Sequence, residues 1–209
     1  WRCRLFPDKL PLLQCKDGAF HLTPQELNFW KTMARPGKHN IDTPPSDWVK
    51  QFAGRIPSGG AVLDLACGGG RHGRLMLECG HKVTFVDADI AALGDLTGHP
   101  DATIIEADLE TGGDWPLGSQ QFDGVVVTNY LWRPILPDII GAVAPGGVLI
   151  YETFAEGNEA FGRPRNPDFI LRSGELLEAT RGKLTVIAYG QCIQENRRVV
   201  QHIAAVREA

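Results

Sequence analysis

From Ala61 onward the chain alternates short apolar runs with amphipathic segments, and the first run ends in a cluster of glycines. Such alternation is the pattern of strand–helix units wound into a mostly parallel sheet with helices on both faces. The spacing predicts strands over Ala61–Leu65, Lys82–Asp87, Ala102–Glu106, Phe122–Thr128, Gly147–Glu152, Lys183–Tyr189 and Arg198–Val206. It predicts helices over Gly70–Cys79, Ile90–Leu96, Ile135–Val143 and Gly174–Ala179. The run Val125-Val126-Val127 suits a central strand buried on both faces. The last two strands are joined by too short a connection for a parallel crossover, so they pair antiparallel.

Residues 1–45 have a different texture, irregular and rich in Trp, Pro and His. They read as an N-terminal extension, and 46–209 as the α/β domain. Within the extension, Leu10–Leu22 reads as a hairpin around Lys16-Asp17-Gly18. Thr23-Pro24-Gln25-Glu26 is a capping box that opens a helix to about Met33. Arg35-Pro36-Gly37 and Thr43-Pro44-Pro45 break the chain, and Ser46 caps a short helix, Asp47–Ala53. The extension either caps a pocket or packs elsewhere.

Charge and cysteines narrow the function classes. Lys and Arg number 21 against 25 Asp and Glu, net −4, with no basic stripe to track a phosphate backbone. No apolar run approaches the ~20 residues of a membrane span. The 5 cysteines contain no Cys-x-x-Cys pair and are odd in number. No metal site is expected, and a reducing, cytoplasmic compartment fits.

The chemistry concentrates in Val62-Leu63-Asp64-Leu65-Ala66-Cys67-Gly68-Gly69-Gly70, a strand entering a glycine-rich turn and then a helix. Glycines let a ligand approach the backbone, and the helix start offers free N–H groups. Gly68-x-Gly70-x-x-Gly73 matches the dinucleotide fingerprint, and a tight turn without ligand remains the bland alternative. Asp64, Asp87 and Asp108 stand at the ends of three successive strands. A dinucleotide pyrophosphate would be repelled by Asp64 and Asp108, whereas the net positive S-adenosylmethionine would be attracted. Asp89 reads as a turn residue. Cys67 lies at a helix start, where a thiol pKa can fall. No histidine or acid partner is placed for it, so it reads as a packing residue.

Val62–Gly70, Val83–Asp87, Ile105–Leu109, Phe122–Tyr130 and Ala144–Glu152 resemble the ordered motifs of class I S-adenosylmethionine-dependent methyltransferases. Cys67–His72, Gly80–Asp87 and Gly162–Asp168 before Glu175-Leu176 are similar to the bacterial tellurite-resistance-type group. The resemblance implies a Rossmann-like, seven-stranded, mostly parallel sheet with an antiparallel last strand. It implies S-adenosyl-L-methionine as cofactor. Asp64, Ala66, Cys67, Gly68 and Gly70 would hold the methionine part, with Arg71 pairing its carboxylate or simply solvated. Asp87, with Ala88, would bind the ribose. Ala107, Asp108 and Leu109 would hold the adenine, and Asn129 and Tyr130 would face the sulfonium end. Alanine stands at 66 where the family most often has glycine, a change that costs little if φ is negative there.

Methyl transfer from a sulfonium is an in-line displacement that needs positioning more than acid–base chemistry. No general base is assigned. Trp132, Arg133, Tyr151 and Glu152 are candidates for the acceptor side, with Arg35 and His39 as residues that could close over it; His39 reads rather as a surface loop residue. The Asn129–Trp132 stretch lacks the prolines of an adenine-amino methylation box. Phe154–Arg172 is long and polar, and reads either as a lid carrying Arg163 and Arg165 toward an anionic acceptor or as a solvated excursion. The expected function is methylation of a small molecule. The alternatives are RNA or protein methylation, a nicotinamide-dependent oxidoreductase, and a non-catalytic cofactor-binding domain.

Overall fold

The computed structural model describes residues 43–194 and 198–209. Seven strands form one sheet: β1 Ala61–Leu65, β2 Lys82–Asp87, β3 Ala102–Glu106, β4 Phe122–Thr128, β5 Val143–Phe154, β6 Thr185–Gln194 and β7 Arg198–Val206. Their spatial order is β3-β2-β1-β4-β5-β7-β6. The first five pair in parallel, while β7 runs antiparallel to both β5 and β6. The helices are α1 Asp47–Ala53, α2 Arg71–Glu78, α3 Leu136–Gly141 and α4 Glu175–Thr180. None of the described helices is long and apolar enough to cross a membrane.

The period-2 alternation of the strands sorts the core onto two faces. Val62, Val83, Phe85, Val126 and Ile150 pack with Trp48, Val49 and Phe52 of α1 and with Leu75 and Met76 of α2. Leu63, Leu65, Val125, Val127 and Tyr151 pack on the other face with Ile139 and Ile140 of α3 and Leu176 of α4. Ser46 caps α1 as expected, its hydroxyl accepting from Trp48 N at 3.2 Å.

Five strands fall where the sequence places them, and two are longer. β5 begins at Val143 because its register against β4 slips between Phe122 and Gly124, which absorbs the Pro145-Gly146 turn. β6 starts and ends later than expected, running through Gly190 to Gln194 beside β7. The expected helix Ile90–Leu96 is a 3-10 turn over Ala91–Leu96. The helix expected over Ile135–Val143 opens as 3-10 at Arg133–Ile135 and closes at Gly141; Pro134 and Pro137 leave few N–H donors there. The hairpin, the capping-box helix, Arg35 and His39 lie outside the described residues.

Candidate active site

The chain leaves β1 toward β2 on one side and reaches β4 on the other, so the carboxyl ends of β1 and β4 flank a topological switch point. Open α/β sheets bind their ligands there. The turn after β1 is tight: Cys67 N donates to Val86 O at 3.1 Å and Gly70 N to Cys67 O at 2.9 Å. Three of its residues are left-handed, Ala66 at φ 50°, Gly68 at 54° and Gly70 at 70°. The condition under which alanine at 66 costs little is therefore not met; Ala66 holds a conformation worth about 1 kcal/mol of strain to an L residue. A Cβ on Gly68 would meet nothing within 4 Å, so the turn presents an open face there. Gly73 is glycine for another reason. A Cβ on it would enter the Phe85 ring and come within 2.9 Å of Asp64 Oδ2.

That close approach is what places Asp64. Its carboxyl is 1% exposed, and Oδ2 accepts from Gly73 N at 2.7 Å. Burial pushes its pKa up to about 7, against the lowering effects of the Gly73 N–H and Arg71. Burial, then Asp64 and Asp87, push the Cys67 thiol up as well, so it stays protonated. The packing reading of Cys67 agrees with this.

Asp87 clasps the same turn. Its Oδ2 accepts from Gly68 N at 2.7 Å and its Oδ1 from Asp89 N at 3.0 Å. Ala88 beside it is exposed. Asp89 accepts from Ala91 N at 3.0 Å, a turn residue as expected. Asp108 is exposed beyond β3 and accepts from Glu110 N at 2.9 Å, while Ala107 and Leu109 pack on the core. The Tyr130 hydroxyl is buried without a hydrogen-bond partner among the described residues, and its pKa is raised by burial and then by Glu110, Asp108 and Asp87. Its hydroxyl therefore belongs with the acidic row.

A second network, which the sequence did not reveal, occupies the far side of the switch point. Glu152 is 1% exposed at the end of β5. It accepts from Ser46 Oγ at 2.9 Å and from Gln194 Nε2 at 3.1 Å. Arg198 stands 3.6 Å away, and His202 Nδ1 at 3.8 Å is beyond hydrogen-bond reach. Burial alone would raise the Glu152 pKa, but His202, Ser46 and Arg198 outweigh it and hold the carboxylate ionised. His72, buried at the start of α2, accepts from Ser46 N through Nε2 at 3.2 Å. Its Nδ1 must then carry the proton and donate to Thr128 Oγ1 at 3.2 Å. Burial, with Arg71 and Lys50, pulls the imidazole down to about 3, so it is neutral. Arg71 itself donates to Pro44 O at 3.0 Å. These partners lie far apart in sequence, and no local spacing signals them.

The other acceptor-side candidates divide. Tyr151 is 1% exposed and its hydroxyl donates to Tyr130 O at 2.9 Å, so it props the turn after β4 from within the core. Trp132 has a buried indole N–H without a partner. Arg133 is a clamp: it pairs with Glu175 at 2.7 Å and donates to the carbonyls of Pro167, Asp168 and Ile170. The Phe154–Arg172 loop is pinned at its base, where Leu171 N donates to Phe154 O and Glu156 N to Leu171 O, both at 2.9 Å. Arg163 and Arg165 are exposed on it. Arg165 lines a cavity of about 630 Å³ together with Arg133, Glu159, Asp168 and Arg172.

Residues 62–147, from β1 into β5, match a family described as a methyltransferase domain. No curated protein sequence matches the chain. Solved structures of similar fold include TehB from Haemophilus influenzae, with TM-score 0.60 and 21% identity over 87% of this chain and 66% of that one. The N-methyltransferase NodS from Bradyrhizobium japonicum, in complex with S-adenosyl-L-homocysteine, has TM-score 0.61 and 17% identity over 88% and 98%. A Burkholderia thailandensis 1,6-didemethyltoxoflavin-N1-methyltransferase, with its namesake compound and S-adenosylhomocysteine bound, has TM-score 0.56 and 18% identity over 79% and 80%. Residues 62–147 thus match a methyltransferase-domain family, in a chain with the seven-stranded fold of these solved methyltransferase structures.

Proposed function

We propose that this chain transfers the methyl group of S-adenosylmethionine to a small-molecule acceptor. The observation that carries this reading is the acidic, glycine-lined turn: Asp64 beneath it, Asp87 clasping it, and an open face above Gly68. Burial raises the Asp64 pKa to about 7, and a nearby cation would stabilise its ionised form where a pyrophosphate would not. The partnerless Tyr130 hydroxyl, buried beside Asp87 and Asp108, supports a polar ligand along the same row. The residues therefore fit the cofactor, which when bound supplies an electrophilic methyl on a sulfonium.

The chain's own residues bind and orient. We assign Asp64, Ala66, Cys67, Gly68, Gly70, Arg71 and Asn129 to the methionyl end, and Asp87 with Ala88 to the ribose. Asp87 keeps capacity for two hydroxyls, because a carboxylate offers about four lone-pair sites and two are used by Gly68 and Asp89. Ala107, Asp108 and Leu109 are assigned to the adenine end, and Tyr130, with Asn129, to the methionyl and sulfonium end. The small-molecule acceptor is supported by the toxoflavin-precursor enzyme of the same fold. Residues 1–45 are proposed to cap this site. Pro44 and Ser46, where that segment joins the domain, are tied to Arg71 and His72 in the first turn of α2. A cytoplasmic location is proposed on the cysteine pattern, odd in number and without a Cys-x-x-Cys pair.

Titration calorimetry with S-adenosylmethionine, S-adenosylhomocysteine and NAD tests the reading. Binding of the first two and not of NAD is expected, with at least tenfold loss in Asp87→Ala. Binding of NAD alone overturns it, and unchanged affinity in Asp87→Ala removes the ribose assignment.

A further inference from the structure

Asn129 opens the turn after β4 in an unusual state. Its φ is 54°, one of two positive values among the described non-glycine residues. Two bonds hold it there. Its backbone N donates to Glu152 O at 2.9 Å, and its Oδ1 accepts from Arg198 Nη1 at 3.0 Å. The second bond decides which way the amide faces. A guanidinium only donates, so the atom turned to Arg198 is the oxygen and the NH2 group is turned away from it. Asn129 is exposed, and its Nδ2 makes no hydrogen bond to the described residues.

Arg198 is itself held in place. Its Nε donates to Gln194 Oε1 at 2.6 Å, its Nη2 lies 3.6 Å from Glu152 Oε1, and its guanidinium sits 6.0 Å over the Phe154 ring. Gln194 in turn donates to Glu152. The side chains of β5, β6 and β7 thus converge on one planar group whose remaining task is to grip the Asn129 oxygen. Such fixing of one polar group by a buried partner is how sites keep their geometry before a ligand arrives.

We propose that Arg198 is a positioning residue of the cofactor site. It orients the Asn129 amide so that Nδ2 donates to the carboxylate at the methionyl end, and Glu152 and Gln194 hold Arg198 for that purpose. This rests on the cofactor reading above, and Arg198 acts through Asn129 rather than by its charge.

Calorimetry with S-adenosylhomocysteine separates these statements without knowledge of the acceptor. Asn129→Gly removes the amide while tolerating the positive φ, and is expected to weaken binding about tenfold. Arg198→Met is expected to weaken it by a similar factor. The double variant is expected to be no weaker than either single one, because both act on one contact. If the Arg198→Met loss persists in the Asn129→Gly background, Arg198 acts on the ligand by charge and the proposal is overturned. Unchanged affinity in either single variant overturns it too. Should Arg198→Met fail to fold, Gln194→Met, which removes the acceptor for Arg198 Nε and the donor to Glu152 but leaves the guanidinium, is expected to give a smaller loss that also vanishes with Asn129→Gly; additivity there overturns the proposal. If the unmodified chain binds no S-adenosylhomocysteine, it is the cofactor reading that fails.

Discussion

Asp64 is a carboxyl that the fold would rather keep neutral, and Asp64→Asn exposes the cost. Its pKa is pushed from 3.8 up to about 7 by burial. The folded state then binds a proton that the unfolded state has released, so stability falls as pH rises from about 4 to about 7 and is level above. At about 1.4 kcal/mol per tenfold change in proton affinity, the loss reaches up to ~4 kcal/mol at pH 8. Asparagine keeps an oxygen for the Gly73 N–H, which now sits 2.7 Å from Oδ2, and cannot ionise. Urea denaturation of both forms at pH 5 and pH 8 measures the difference. The gap in the variant's favour is expected to widen by about 2–4 kcal/mol between pH 5 and pH 8. On the proposed assignment of Asp64 to the methionyl end, the gain should be accompanied by weaker binding of S-adenosylmethionine. Equal pH slopes in the two proteins would refute the assignment of a neutral, buried Asp64.

Ala66→Gly relieves the left-handed strain at φ 50° and should stabilise the fold by up to ~1 kcal/mol, a few degrees in a thermal melt; no gain would mean the strain is relaxed elsewhere. Gly73→Ala should cost about 1–3 kcal/mol or more, because its methyl collides with the Phe85 ring; an unchanged melting temperature would show that α2 can lift off β2. Cys67 should label with maleimide far more slowly in the native protein than in urea at pH 8, read peptide by peptide in a mass spectrometer; fast native labelling would contradict its raised pKa.

The strands β1, β2 and β4 were legible because each is an apolar run bounded by turn residues, and burial on both faces leaves that signal strong. β6 was displaced because it is an edge strand. Its side chains are mostly half-buried or exposed, so Gly190 and Gln191 looked like an end rather than a continuation. The acidic row could be read off strand ends, since parallel strands bring their carboxyl termini to one edge. What joins Ser46, His72, Glu152 and Arg198 could not. Each bond there spans 26 to 106 residues of chain, and the β5–β7 pairing is what brings Arg198 beside Glu152. Arg133 shows the opposite hazard. Its position after β4 suggested an acceptor contact, but Glu175, on a different helix, claims it first.

The manner of Arg133's grip has a consequence for how such a protein can change. Apart from Glu175, it holds the 154–172 loop by the carbonyls of Pro167, Asp168 and Ile170, groups that every residue carries. The path of this limb is therefore nearly indifferent to which side chains ride on it. Arg165 and Asp168 can be exchanged around the neighbouring cavity while the scaffold beneath them keeps its course. A surface built this way can be rewritten one residue at a time.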